Sequence, residues 1–192
     1  SGRFTRFAGN VSTVPIEAPG TGARATSATA LETWARCPFQ YYVRYLLGVD
    51  PLETPELRLR IDPLSKGTLV HEILEAFVRH RIADTDVERL AWNADDGRRL
   101  HEIADTAFAT VESRGLTGEP LYWRRDQVLL RRDLGAFLSL DSDRRLDGDL
   151  RPIDTELPFG LDGARAVRIL LPDGRKIGVR GSIDLVDETP DA

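Results

Sequence analysis

The chain has 192 residues, 41% apolar and 30% charged, enough for one compact domain with a hydrophobic core. No run of about 18 apolar residues occurs, which excludes a membrane-spanning helix, and the first residues show no apolar signal-peptide core. A net charge of −5 excludes a protein that coats nucleic acid by bulk electrostatics, though not one with a local Arg-lined groove.

The single cysteine, Cys37, excludes an internal disulfide framework and fits a reducing cytoplasm. Methionine is absent, and Lys66 and Lys176 are the only lysines among 26 positive charges. Residues 1–26 read as an extended linker, where Ala18-Pro19-Gly20-Thr21-Gly22 carries turn chemistry without helical periodicity. Structure is expected to begin at Ser27, a good N-cap, with Leu31 and Trp34 one turn apart behind it. Pro38 interrupts, so Cys37 falls at a junction and a second short helix is expected to about Leu47. Its apolar face is read as Phe39, Tyr42, Val43 and Leu46.

Residues 50–66 form a Pro-rich connection with Pro51, Pro55 and Pro63. The spacing predicts a helix from about Gly67 to Arg81, with Leu69, Val70, Ile73, Leu74, Phe77 and Val78 in one stripe. Further amphipathic segments are expected at roughly 86–113 and 124–140. The period then changes to two at Ile153, Thr155, Leu157 and Phe159. Residues 165–171 predict a second strand, Pro172-Asp173-Gly174 a turn, and Lys176 to Val186 one long strand or two. Helices followed by a meander predict an α/β fold of α+β-like order, a helical N-terminal part packed on a mixed and incomplete sheet. The end at Ala192, just past a strand, reads as that of a fragment of a longer protein.

Five sets of residues are weighed for chemistry. His71 lies at the edge of the apolar stripe, beside Leu74 and Val78; it is either a metal ligand or a half-buried histidine satisfied by the backbone. Asp184, between Ile183 and Leu185, is either a hard oxygen ligand for Mg²⁺ or Mn²⁺ or an edge-strand acid facing water. Glu156, opposite in phase to Leu157, reads as a structural acid or one that supports a ligand from behind, with the structural role favoured. Glu72 points away from the stripe. Arg124, Arg125, Arg131 and Arg132 sit beside Asp126 and Asp133 and read as a solvated face.

Three segments together resemble the RecB/AddB-type nucleases of the PD-(D/E)XK superfamily. They are Leu31-Glu32 with Cys37-Pro38-Phe39-Gln40-Tyr41-Tyr42, Gly67-Thr68-Leu69-Val70-His71, and Gly181-Ser182-Ile183-Asp184. The second matches that family's G-x-x-x-H helix and the third its G-x-x-D strand. The resemblance covers residues 27–187 and makes 27–192 the N-terminal portion of such a domain. It implies a metal-dependent DNA nuclease within a helicase–nuclease that repairs broken DNA. His71 and Asp184 are implied as catalytic metal ligands for Mg²⁺ or Mn²⁺. Cys37 is implied as the first of four cysteines holding a 4Fe-4S cluster in the full-length protein. DNA, as single-stranded ends, and a helicase region or partner subunit are the implied partners.

The sequence departs from the pattern in two ways. No acid-x-Lys motif follows Asp184, and one cysteine cannot build a four-cysteine cluster in one copy of the chain. The expectation is a fragment that is inactive alone. A catalytically degenerate fold that binds or guides a DNA strand is the alternative, and a helical interaction domain unrelated to DNA is a third reading. Pro172-Asp173-Gly174-Arg175-Lys176 superficially offers a PD…K signature, but Gly174 stands where the acid should be.

Overall fold

The computed structural model describes residues 19–21, 25–50, 59–83 and 91–189. They fall into two compact units: residues 1–50 with 158–182, and residues 51–157 with 183–192. Five α-helices and a mixed four-stranded sheet are present among the described residues, as the change of period predicts. Among them, no helix is long and apolar enough to cross a membrane.

In the first unit, Thr26–Ser27 forms a short strand, β1, paired in parallel with Val179 and Arg180. Most of the expected linker lies outside the described residues. Ser27 caps α1 (Ala28–Arg36) by accepting the Ala30 amide at 3.2 Å. Cys37 is extended at the junction, and Pro38 occupies the first position of α2 (Pro38–Tyr41), where its missing N–H is harmless. A π-helical turn follows at Tyr42–Leu46. Its extra residue per turn shifts the helical phase, so the expected face is not the buried one. Phe39 is exposed, Tyr42 and Val43 are half-buried, and Tyr41 packs inside against Tyr45 with ring centroids 5.2 Å apart.

The second unit is built on three long helices. Helix α3 spans Pro63–Ile82 and starts a turn earlier than Gly67. Pro63 is its first residue and not part of the loop, because Asp62 caps it through the Ser65 amide at 2.9 Å. Helix α4 (Ala94–Ser113) begins at a capping box. Asn93 Oδ1 accepts from the amides of Asp95 and Asp96, and Asp96 accepts from the Asn93 amide. The expected start near residue 86 lies outside the described residues. Helix α5 (Pro120–Gly148) runs eight residues beyond the expected end at 140.

The core of this unit interleaves Leu69, Ile73 and Phe77 of α3 with Leu100 and Phe108 of α4 and Trp123 and Leu130 of α5. Each such side chain contributes about 1.5–3 kcal/mol by leaving water. Phe108 meets Trp123 edge to face at 5.5 Å. Leu185 of the last strand packs against the same core.

The sheet consists of β1, β2 (Arg151–Phe159), β3 (Val167–Leu170) and β4 (Lys176–Glu188). Its order is β1-β4-β2, with β3 also pairing β4, antiparallel, so that Arg168 faces Gly178 and Leu170 faces Lys176. Residues 176–188 are one continuous strand. The connecting turn uses Gly174 at φ +82, a conformation that favours glycine.

Candidate metal centre

Helix α3 presents His71 one turn after Gly67, and β4 presents Asp184 three residues after Gly181. Both belong to the helical unit, and the fold brings them together. His71 Nδ1 stands 3.7 Å from Asp184 Oδ1. Glu156 of β2 joins them: one ligand atom from each of His71, Glu156 and Asp184 lies within 4.8 Å of the others.

That separation suits a shared hard cation. Octahedral ligands at about 2.1 Å from an ion sit roughly 3 Å apart when adjacent and about 4.2 Å when opposite. A spacing of 3.7 Å falls between these and is long for a direct hydrogen bond. The donor set, one imidazole nitrogen and two carboxylates, fits Mn²⁺ or Mg²⁺.

The backbone around the centre is held from several sides. Thr155 is buried, and its hydroxyl donates to the Asp184 carbonyl at 2.9 Å. Glu156, the next residue, has φ +54, a left-handed conformation that non-glycine residues adopt at a cost of roughly 1–2 kcal/mol. The expected alternation does not hold in burial here: Thr155 is buried, while Ile153 and Leu157 are exposed. Sequence reasoning set Glu156 aside as structural. The available signal was an acid inside the first alternating segment, two strands ahead of Gly181-x-x-Asp184.

Three residues beyond Asp184, Asp187 anchors β4. It receives Arg144 Nη2 at 2.7 Å and lies 3.0 Å from Arg145 Nη1. Arg145 is fully buried, and its Nε donates to Asp141 at 2.6 Å. Trp92 Nε1 donates to the same carboxylate at 2.8 Å. Burial pushes the Asp141 carboxyl up, but bonds from Arg144, Arg145 and Trp92 outweigh it and hold the carboxyl below its ordinary value.

Asp184 faces solvent. Its side chain is 67% exposed and that of His71 58%, so their proximity, not burial, marks them as a site. Cys37 belongs to the other unit and is a half-buried free thiol. Glu72 is exposed, as expected. Arg131 pairs with Asp105 at 2.5 Å and Arg132 with Asp133 at 2.8 Å, in keeping with a solvated face, although Asp126 is buried. Asp173 is an ordinary turn residue that accepts the Arg175 amide at 3.0 Å. That amide and the Arg175 guanidinium hold its carboxyl below the usual range.

A family model of the PD-(D/E)XK nuclease superfamily matches residues 25–192, and the chain belongs to that superfamily. Over 168 residues, 84% of the chain, it is 30% identical to a subunit of the ATP-dependent helicase/deoxyribonuclease of Symbiobacterium thermophilum. It is 28% identical to the same subunit of the Clostridium tetani enzyme over 168 residues. The corresponding Clostridioides difficile protein, of the same name, is 26% identical over 171 residues. The chain spans 14% of the length of each of these relatives.

Proposed function

We propose that this chain carries part of the metal centre of a divalent-cation-dependent deoxyribonuclease, within a helicase–nuclease that processes DNA ends in double-strand-break repair. The observation that carries the reading is the convergence of His71, Glu156 and Asp184 from α3, β2 and β4. The names of the relatives support the DNA substrate and a helicase context. A cytoplasmic site of action agrees with the lone thiol of Cys37.

His71 and Asp184 would hold Mg²⁺ or Mn²⁺, and Glu156 completes the acidic side. Such an ion, when bound, activates water and stabilises the charge that develops on phosphorus. The chain's own part is positional. Helix α3 fixes the imidazole, and the Thr155 bond fixes the β4 backbone at Asp184. The left-handed Glu156 backbone aims its carboxylate at the pair.

Neither lysine follows Asp184, so the chain has no acid-x-Lys pair after that acid to polarise water and the scissile phosphate. The reading therefore includes metal binding with little or no cleavage by this polypeptide alone. Cys37 would contribute to a 4Fe-4S cluster only where three further cysteines are supplied.

Calorimetric titration with Mn²⁺ tests the proposal, alongside cleavage assays on linear single-stranded DNA. The native chain should bind Mn²⁺, and His71→Ala and Asp184→Ala should each abolish binding while leaving the circular dichroism spectrum intact. Binding that survives both substitutions would overturn the metal centre. DNA binding without any metal affinity would favour the degenerate, strand-guiding module instead.

A further inference from the structure

The charge of this chain is unevenly placed. Its net value is −5, yet residues 164–181 carry Arg165, Arg168, Arg175, Lys176 and Arg180 against a single acid, Asp173. That acid is taken by Arg175 at the turn, at 2.7 Å. The remaining cations of the hairpin have no ion-pair partner among the described residues, whereas Arg98, Arg99, Arg131 and Arg132 elsewhere each pair with a carboxylate.

The sheet arranges three of these cations. Side chains alternate along β4, so Lys176, Gly178 and Arg180 share one face, spaced about 6.8 Å apart. Arg168 lies directly across from Gly178 and therefore on the same face. Beside them opens a cleft of about 370 Å³, walled by Gly20, Ala25, Gly160 and Gly178, with Arg168 and Lys176 among its lining and no carboxylate among the described residues that line it. Gly20 makes the wall possible. At φ +73 its carbonyl accepts the Gly178 amide at 2.8 Å, and a Cβ there would meet the Gly178 carbonyl at 2.8 Å. A small-residue wall lets a ligand approach the backbone closely, and two cations with no ion-pair partner and no acid beside them among the described residues select an anion. The linear run of positive charge along a strand matches a chain of phosphates better than a single one.

We propose that the cleft of the β3–β4 hairpin, with Arg168 and Lys176 at its mouth and Gly178 in its floor, holds the phosphate backbone of a single-stranded DNA. This deepens the nuclease reading, and rests on it for the choice of polynucleotide, by naming residues that grip the strand without touching the metal.

The test is fluorescence anisotropy of the 192-residue chain with a labelled oligothymidylate, without divalent metal, across a range of salt. For Arg168→Gln/Lys176→Gln the affinity should fall on the order of tenfold at low salt, and the log–log salt slope should become shallower by about 0.7 for each cation removed. Arg168→Lys/Lys176→Arg should restore both. Arg98→Gln/Arg99→Gln removes the same charge from paired positions and should change neither. An unchanged slope in the first variant overturns the groove, as does an equal loss in the Arg98/Arg99 control or a native chain that fails to bind. Displacement of the oligonucleotide by inorganic phosphate at equal concentration would overturn the polymer assignment. The Mn²⁺ titration reads the metal centre separately: His71→Ala and Asp184→Ala should keep full DNA affinity, so failure of the groove and failure of the nuclease reading are distinguishable.

Discussion

Arg145, fully buried on α5, lies 3.0 Å from Asp187, three residues past Asp184 on β4. The same guanidinium bonds Asp141 at 2.6 Å and stacks over the Trp92 ring at 4.8 Å. One side chain thus ties the last turns of the longest helix to the strand that carries a proposed metal ligand. Removing it leaves Arg144 as the remaining cation for both carboxylates and empties the space of a fully buried side chain. Arg145→Ala should therefore destabilise the chain by about 3–5 kcal/mol, read from urea unfolding followed by circular dichroism. A loss below about 1 kcal/mol would show that the network contributes nothing net, as many exposed pairs do.

The same network sets an acid limit. Asp141 titrates below its ordinary value in the folded chain, whereas in the unfolded chain it titrates near about 3.9. Between those two values the unfolded state binds more protons, so stability rises with pH there. The contribution of Asp141 is fully present above the unfolded value and is lost as pH falls through the folded one. Urea midpoints measured from about pH 5 downward should drop, and Asp141→Asn should flatten that drop while lowering stability at neutral pH.

Glu156 separates stability from binding. Its φ of +54 suits glycine better than glutamate. Glu156→Gly should leave stability unchanged or raise it by up to about 1 kcal/mol, yet weaken Mn²⁺ binding measurably. Glu156→Gln keeps the backbone strain and should weaken binding without any gain in stability. If both variants bind Mn²⁺ like the native chain, Glu156 stands outside the metal centre.

Cys37 should behave as an ordinary thiol in this polypeptide. One equivalent should react with a disulfide reagent. Reconstitution with iron and sulfide should give no visible absorption band, since a cluster of this kind needs four cysteines. A stable chromophore in the monomeric chain would contradict this.

Much of the architecture was legible because it follows from local periodicity. The stripe Leu69, Ile73, Phe77 marked α3, and the alternation after residue 151 together with the Pro172-Asp173-Gly174 turn marked the sheet. Residues whose neighbours are distant in sequence were not legible. The tail of α5 from Asp141 to Asp147 lies past the expected end at 140, and Asp141 and Arg145 are buried there because Trp92 and Asp187 arrive from elsewhere to satisfy them. Likewise Pro63 reads as a loop residue along the sequence, while in the fold Asp62 caps the helix that Pro63 begins.

The sequence by itself determined the kinds of elements, the pairing of a G-x-x-x-H helix with a G-x-x-D strand, and membership in a nuclease superfamily. Side-chain period and turn chemistry are written in neighbouring residues, and so are readable one window at a time. The tertiary structure alone decided that Glu156 joins His71 and Asp184, and that cations of a basic hairpin line a cleft in an acidic chain. A metal centre and a charged groove are distances between residues far apart along the chain. Only the packing of helices and the register of strands set those distances.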